Sequence, residues 1–535
     1  MNLSVKTVLM AAALAGWSGN TQAQMNPKDK MAAALKAIQE NYVDSIPEEK
    51  LTDAAINGML QVLDPHSKYF NRDEAMQMQQ AMSGSFTGIG INYVMQLDSV
   101  YVTQVIPEGP AEKKGLRAGD RIIAIDGSPL LGRHFSNYDI MTMLRGENET
   151  HVTLQVWRPA SATSFPADIT RGAIPDKSVR AAYMVTDKVG YLSLRIFNQT
   201  TRTEVDKALQ RLKSAGMQSL ILDLQGNGGG LVQEAIGVAD EFLKKDQLVF
   251  YSVGNDHGKD YYYTGGMGQF MEGRLVVMID QNTASASEIL SGALQDWDRA
   301  VLVGRRSFGK GLMQKPATLA DGSVLELTGA RYFTPSGRSI QKPYHGAHYD
   351  DNVATRLASG ELLNAGVIHF PDSLKYTTLV NKRIVYGGGG IMPDKYVAID
   401  TLEYNGWLQD VSDAGLVNKA VFAYVDSCRN ALQQAYPSFA AYQQHFTVPD
   451  AVLTEILSAA AKAGRPLQAG ARARTCGLLA VEMKALMAAQ LFGGNQYYIQ
   501  VANTGNESFR QALDILSNDK AYGAYLPAVK ANGKK

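Results

Sequence analysis

The chain has 535 residues, of which 45% are hydrophobic and 19% are charged. At roughly 100–200 residues per domain, this length predicts about three to five domains, and the composition excludes a mostly disordered chain. Fifty-two basic residues balance fifty-two acidic ones, so charge favours neither a nucleic-acid partner nor a solvating acidic tail. Cys428 and Cys476 are too few for a disulfide scaffold and lack metal-site spacing. Whether they pair with each other is left open.

Residues 1–23 have the pattern of a secretory signal peptide. Lys6 precedes an apolar run at residues 8–17, and residues 21–23 (TQA) resemble a cleavage site. The run is too short to span a bilayer, and no later stretch reaches the ~18 apolar residues of a membrane helix. We therefore expect export to the periplasm or cell envelope without stable membrane insertion. A core helix that begins at residue 1 is the alternative, but it does not explain this order of charge, apolar run and small residues.

The rest of the chain divides into four regions. Apolar residues at helical spacing predict an N-terminal helical region over residues 25–83. Short alternating strands predict a compact β-rich module over residues 84–175. Alternating strands and helices predict a βαβ core with a partly parallel sheet over residues 176–402, with a weakly periodic stretch at 343–383 as an insertion. Residues 403–535 are predicted to be mostly helical, and packing on the core is the first interpretation of their role.

Three motifs follow predicted core strands. Ser285 lies in TASASEI (283–289) at the start of a helix, where N–H groups and the helix dipole stabilise the negative charge that a nucleophile develops. Taken alone, this motif favours a simple helix cap. Lys310 lies between two glycines, and burial there would lower its pKa and let it act as a base. LDLQGNGGG (222–230) leaves N–H groups free to form half of an oxyanion hole, with a tight turn as the alternative.

Several other motifs do not support a cofactor or a metal. Residues 304–310 match G-x-x-x-x-G-K, but Gly311 occupies the position where a phosphate-binding loop needs Ser or Thr for magnesium. Leu231 occupies the position of the third glycine of a dinucleotide motif. His345 and His348 are poor metal candidates in a solvated loop, and His66 is expected to serve structure. We expect no cofactor and no metal.

Six motifs, taken together and in this order, resemble those of the C-terminal processing peptidases, also called tail-specific proteases. They are LDPHSKY (63–69), FTGIGI (86–91), GLRAGDRIIAIDG (115–127), LDLQGNGGG (222–230), TASASEI (283–289) and SFGKGLMQ (307–314). The resemblance covers residues ~30 to ~400. It implies a multidomain α/β fold with an N-terminal helical region, a PDZ domain, a crotonase/ClpP-like βαβ peptidase core and a C-terminal helical extension.

The resemblance also assigns catalytic roles. It makes Ser285 the nucleophile, Lys310 the general base and Gln314 the residue that orients Lys310. A lysine titrates near ~10.4, so such a pair works only if burial lowers that value by several units. The reaction would be acyl transfer to Ser285 followed by hydrolysis, with no metal.

Backbone N–H groups complete the implied site. The N–H of Ala286 and that of Gly228 or Gly229 would form the oxyanion hole, and the choice between the two glycines is left open. The segment Asn227-Gly228-Gly229-Gly230 departs from the commoner N-P-G-G form of the family. Loss of that proline removes no donor, so the departure does not count against activity.

The PDZ-like module implies the substrate class. PDZ domains bind an extended peptide at a sheet edge and hold its terminal carboxylate with N–H groups. Gly88-Ile89-Gly90-Ile91 matches the carboxylate-binding loop, and Arg145 matches a position that couples the PDZ domain to the active site in related peptidases. The expected partners are proteins or peptides with free C-termini that end in apolar or small residues.

The leading hypothesis is therefore an exported serine endopeptidase that recognises C-terminal tails and hydrolyses peptide bonds through a Ser–Lys dyad and an acyl-enzyme. One alternative is a non-catalytic PDZ scaffold on the same fold, which the intact Ser285, Lys310 and Gln314 disfavour. Another is a ligand carrier whose C-terminal helical half is the functional part. The helical regions are also candidates for pairing with a second copy or an adaptor.

Overall fold

The fold is described from a computed structural model. It describes residues 25–96, 99–133, 135–349, 351–399, 406–468, 470 and 472–527, so the predicted signal peptide lies outside the described residues. The chain divides into two compact units, one up to Leu63 and one from Asp64 onwards. The first unit contains two helices, α1 (Pro27–Asn41) and α2 (Glu48–Leu60). The second begins with strand β1 (Lys68–Phe70) and helix α3 (Arg72–Ser83).

The β-rich module has two antiparallel sheets around one apolar core. Its elements are β2 (Ser85–Gly88), β3 (Ile91–Gln96), β4 (Ser99–Val105), α4 (Pro110–Lys113), β5 (Arg121–Ile125), β6 (Ser128–Pro129), α5 (Asn137–Leu144), β7 (His151–Arg158), β8 (Thr163–Thr170) and β9 (Gly172–Pro175). The larger sheet has the order β3-β4-β5-β7-β8 with β6 beside β5, and β2 pairs with β9. Inward residues alternate with exposed ones along β7 and β8, which is typical of strands with one solvated face.

The α/β core is built around a six-stranded sheet. Its elements are β10 (Val179–Met184), β11 (Val189–Leu194), α6 (Thr201–Ser214), β12 (Ser219–Asp223), α7 (Val232–Asp240), β13 (Leu248–Gly254), β14 (Lys259–Tyr263), β15 (Arg274–Ile279), α8 (Ala286–Asp296), β16 (Val301–Gly304), β17 (Leu312–Thr318), β18 (Val324–Phe333), α9 (Val353–Ala358), β19 (Lys375–Thr377), β20 (Ile384–Tyr386) and β21 (Lys395–Tyr396). The sheet order is β10-β11-β12-β15-β16-β21, parallel from β11 to β21. Every residue of β11, β12 and β16 is buried, because both faces of the sheet are covered.

A second, antiparallel sheet lies beside the first and carries part of the LDPHSKY motif. Its order is β1-β18-β13-β14, with β17 also paired to β18. In this sheet Gln314 of β17 lies opposite Thr328 of β18, and the register shifts between Met313 and Gln314. Such a bulge re-aims the side chains that follow it.

The C-terminal region is helical, as predicted. Its helices are α10 (Gly406–Asp413), α11 (Leu416–Ala435), α12 (Phe439–His445), α13 (Asp450–Lys462), α14 (Arg472–Phe492), α15 (Asn495–Ala502), α16 (Glu507–Ser517) and α17 (Asp519–Tyr525). Helix α16 packs Phe509, Ala512 and Ile515 against the face of the parallel sheet opposite to α6–α8. Packing on the core is therefore confirmed for this helix.

The structure adds two findings about this region. By length and composition alone α14 could cross a membrane, although polar residues interrupt its apolar sequence. Its Leu479 and Met483 pack in the core of the C-terminal helices, which explains the apolar composition. Cys428 and Cys476 are both free, which answers the question of their pairing.

Candidate active site

Ser285 lies at a strained turn between a buried strand and a buried helix. Strand β15 ends at Ile279, and α8 begins at Ala286. Ser285 has φ 56° and ψ −118°, a conformation that costs a non-glycine residue about 1–3 kcal/mol and persists only when its surroundings impose it. Such strain concentrates at functional sites. This strain could not be predicted from the sequence, because a serine at a helix start normally has extended backbone angles.

Hydrogen bonds connect this turn to the glycine loop, residues 224–231 between β12 and α7. The Ala284 N–H donates to Asn227 O at 3.0 Å, and Ser287 Oγ donates to the same oxygen at 3.0 Å. Asp280 Oδ1 accepts from the N–H groups of Gly226 and Thr283, both at 3.0 Å. These contacts bring the LDLQGNGGG and TASASEI motifs together at the carboxyl ends of neighbouring parallel strands, where open α/β sheets bind ligands.

Glu288 connects two segments, the serine turn (residues 280–285) and the lysine loop (residues 305–311). Its Oε2 accepts from the N–H of Ser285 and from the N–H of Lys310, both at 2.9 Å. Its Oε1 accepts from Ser307 Oγ at 2.5 Å and from the Gly309 N–H at 2.7 Å. The side chain is fully buried. Burial raises the pKa of Glu288, and the four hydrogen bonds act in the opposite direction.

The sequence motifs alone predict no role for Glu288. The sequence does contain a signal, because Glu288 stands among the small and apolar residues of ASASEILSGAL (284–294), and a carboxylate buried in such a helix needs several donors. Sequence alone could not name those donors, since three of the four, Ser307, Gly309 and Lys310, lie on another loop.

The backbone of Lys310 is held by hydrogen bonds on both sides of its Cα, at its N–H and at its carbonyl oxygen. Besides the Glu288 contact, Lys310 O accepts from Tyr332 OH at 2.8 Å, and the same hydroxyl lies 3.3 Å from Ser285 O. Burial lowers the pKa of the Lys310 amine, and the charge of Lys68 adds to that effect, while Glu326 is the strongest opposing charge. This direction is the one that a lysine base requires.

The two candidate oxyanion glycines differ in what their N–H groups do. The Gly229 N–H donates to Asn227 Oδ1 at 2.9 Å. Within the described ranges, the N–H groups of Gly228 and Ala286 have no hydrogen-bond acceptor. Gly229 has φ 103°, and a Cβ placed on it would lie 2.8 Å from Ser285 Cβ and 2.9 Å from Ala286 N. Only glycine therefore allows the loop to approach the serine turn this closely.

His66 and Gln314 lie around the lysine loop. His66 Nε2 is 2.6 Å from Tyr349 OH, and its ring contacts Phe308 edge-on with centroids 6.3 Å apart. Burial and the charge of Lys310 lower the pKa of His66 to about 3, so its ring is neutral at ordinary pH. Gln314 Nε2 donates to Thr328 Oγ1 at 3.2 Å. That Gln314 orients Lys310 stays a prediction.

The predicted carboxylate-binding loop joins β2 to β3. The N–H groups of Ile89 and Gly90 have no acceptor among the residues that the structure describes, and the Ile89 side chain is 2% exposed. The Arg145 guanidinium lies over the Phe86 ring, 4.4 Å from its centroid. Arg145 thus contacts the strand that leads into the loop, and its coupling to the active site stays a prediction.

We predict that Gly229→Ala displaces the serine turn. The new Cβ would overlap backbone and side-chain atoms of residues 284–286, and alanine is strained at this φ. The expected loss of unfolding free energy is about 3 kcal/mol or more, measured by denaturant unfolding. Gly228→Ala is the matched control, because a Cβ there meets no atom within 4 Å. Equal stability of the two variants would contradict this description of the loop.

Four models of known protein families match this chain and together cover most of it. Peptidase family S41 matches residues 188–353, and a PDZ domain matches residues 101–158. The N-terminal domain of the activating protease CtpB matches residues 6–74, and a family of unknown function matches residues 407–493.

Individual relatives agree with these models. The carboxy-terminal-processing protease of Bartonella bacilliformis is 34% identical over 344 residues, which are 63% of this chain and 78% of that protein. The carboxy-terminal processing protease CtpB of Bacillus subtilis is 32% identical over 317 residues, 59% of this chain and 65% of that protein. Among solved structures, the photosystem II D1 C-terminal processing protease is 30% identical over 59% of this chain and 91% of its own, with a TM-score of 0.34. The chain therefore belongs to the carboxy-terminal processing proteases, the serine-type peptidases of family S41 that carry a PDZ domain.

Proposed function

We propose that the chain hydrolyses peptide bonds with a Ser285–Lys310 dyad. The observation that carries the proposal is the Glu288 carboxylate, one oxygen of which accepts from the backbone N–H groups of both residues. The two backbone nitrogens therefore lie within two hydrogen-bond lengths of each other. The lowered pKa of Lys310 and the strained turn at Ser285 support the same assignment.

In the proposed reaction the neutral Lys310 amine takes the proton of Ser285 Oγ as that oxygen attacks the substrate carbonyl carbon. The resulting ammonium gives its proton to the leaving amine, and an acyl-enzyme forms at Ser285. Water, activated by the same amine, then attacks the ester and releases the second product. Glu288 keeps the two loops in place and exchanges no proton in these steps.

We assign the oxyanion hole to the N–H groups of Ala286 and Gly228. A donor serves an oxyanion only if it is not already committed to a protein acceptor. The Gly229 N–H donates to Asn227, which leaves Gly228 as the better of the two glycine donors. Ala286 is the first residue of α8, so the positive end of the helix dipole adds to its effect.

Tail recognition is assigned to the loop between β2 and β3. The unpaired N–H groups of Ile89 and Gly90 are suited to a terminal carboxylate, and a peptide that follows along the sheet edge would pair as an additional strand. Arg145 places a positive charge beside this loop, over Phe86, and would attract the carboxylate. The substrates are therefore proteins or peptides with free C-termini.

We also propose that the protein acts outside the cytoplasm, in the periplasm or cell envelope. Support for this location comes from the signal-like pattern of residues 1–23. Fractionation of cells that express the full chain, followed by N-terminal sequencing of the protein, checks the location and the cleavage site.

The dyad predicts that Ser285→Ala and Lys310→Met each reduce kcat/KM for a peptide with a free apolar C-terminus by about 10³-fold or more. Mass spectrometry of the products measures the rate. Lys315→Met is the control, because Lys315 is an exposed lysine on β17 and should retain the wild-type rate. If the Ser285 or Lys310 variant, still folded, cleaved at that rate, the dyad would be refuted and a peptide-binding scaffold favoured.

A lysine base also predicts a pH profile. Because only the neutral amine accepts a proton, activity is lost as the pH falls through the pKa of Lys310. Burial lowers that pKa, so kcat/KM should reach its plateau below the ordinary lysine value of about 10.4. His66 remains neutral across the range, since its pKa is about 3. A rate that still rises tenfold per pH unit above 10.4 would contradict a buried lysine base.

A further inference from the structure

The side chains beyond Gln314 form a directed chain of hydrogen bonds. Gln314 Nε2 donates to Thr328 Oγ1 at 3.2 Å, and Thr328 Oγ1 donates to Asp64 Oδ1 at 3.0 Å. Gln314 and Thr328 are cross-strand partners in β17 and β18, and Asp64 belongs to the LDPHSKY motif. No other part of the proposed mechanism uses Asp64 or Thr328.

Asp64 fixes the direction of this chain. Its carboxylate is buried and accepts from the His66 N–H at 2.8 Å, from the Ser67 N–H at 3.0 Å and from Ser67 Oγ at 2.6 Å, in addition to Thr328. Burial acts to raise the pKa of Asp64, but these hydrogen bonds outweigh it and hold the pKa below its ordinary value. An ionised carboxylate only accepts hydrogen bonds, so the single proton of the Thr328 hydroxyl must point at Asp64.

The direction of the hydroxyl decides which end of the Gln314 amide faces it. With its proton given to Asp64, Thr328 Oγ1 can only accept, and it therefore selects the NH₂ end of the amide. The carbonyl end, Oε1, then faces away from Thr328 and has no donor in the described part of the chain. Without the Thr328 hydroxyl, nothing in this hydrogen-bond chain would distinguish the two ends of the amide, which have nearly the same shape.

Lys310 precedes β17 by two residues, and the charge at the end of this hydrogen-bond chain acts on its amine. Charges on Asp64 and on Glu326, which is two residues before Thr328 on β18, both act on Lys310. Charges on Lys68 of β1 and Glu288 of α8 also act on this amine. A neutral amine has two N–H bonds and one lone pair, so a carbonyl that accepts one N–H leaves the lone pair free to face Ser285 Oγ. A reversed amide would donate to the lone pair and compete with Ser285.

We propose that Asp64 and Thr328 are positioning residues that hold the Gln314 carbonyl toward Lys310 and so direct the lone pair of Lys310 to Ser285. The inference rests on the proposed Ser–Lys dyad and deepens it. It assigns a catalytic consequence to a segment, residues 64–67, that precedes the PDZ module and is far from the dyad in sequence.

Thr328→Val tests the inference because it keeps the side-chain shape and removes only the hydroxyl. We expect kcat to fall about tenfold with KM changed less than twofold. The acidic limb of the kcat/KM profile should move to lower pH, because the ammonium form of Lys310 loses an acceptor. Thr328→Ser, which restores the hydroxyl, should stay within about twofold of wild type. A fall in kcat with an unmoved limb indicates a merely structural effect and overturns the inference.

A double-mutant cycle gives a second, independent test. If Thr328 acts only through Gln314, then Thr328→Val should change kcat less than about twofold in a Gln314→Ala background. Full additivity, a wild-type rate for Gln314→Ala, or a wild-type rate for Thr328→Val would each overturn the inference. These results differ from a failure of the dyad itself, in which Ser285→Ala retains activity. Thermal unfolding of each variant confirms that the proteins compared are folded.

Discussion

One buried carboxylate connects the two halves of the proposed active site. Glu288 receives four hydrogen bonds, two from the backbone N–H groups of Ser285 and Lys310 and two from Ser307 and Gly309. A buried charge with four donors is stable only while all four remain in place. The carboxylate therefore imposes a geometry that neither loop would keep alone, and the unfavourable backbone angles of Ser285 persist within it.

The groups around the Glu288 carboxylate come from segments attached to both sheets of the α/β core. The serine turn and the glycine loop follow neighbouring strands of the parallel sheet and therefore lie at the same edge. Tyr332 lies on the antiparallel sheet, and its hydroxyl contacts the carbonyl oxygens of both Ser285 and Lys310. The same antiparallel sheet includes β1, so the LDPHSKY segment reaches the lysine loop through strand pairing. Tail recognition is assigned to a separate module, whose binding loop is built from other strands. The proposed catalytic site and the proposed tail-binding loop thus belong to parts of the chain with separate apolar cores.

The sequence predicted most of the architecture for a physical reason. Long apolar runs such as β12 and the helical spacing of the C-terminal region are local signals, and the structure confirms both. What the sequence did not predict depends on contacts between distant segments. Glu288 finds three of its four donors on another loop, and the commitment of the Gly229 N–H to Asn227 depends on the shape of one turn.

The role of Glu288 as the connecting group is tested most directly by Glu288→Gln. Glutamine has the same shape, but one of its two ends is an NH₂ donor, which would face two of the four N–H and O–H groups now bound. We expect kcat/KM to fall about 100-fold or more while unfolding stays cooperative, and Glu272→Gln, at an exposed glutamate, to behave as wild type. Wild-type kcat/KM in a folded Glu288→Gln variant would contradict the account.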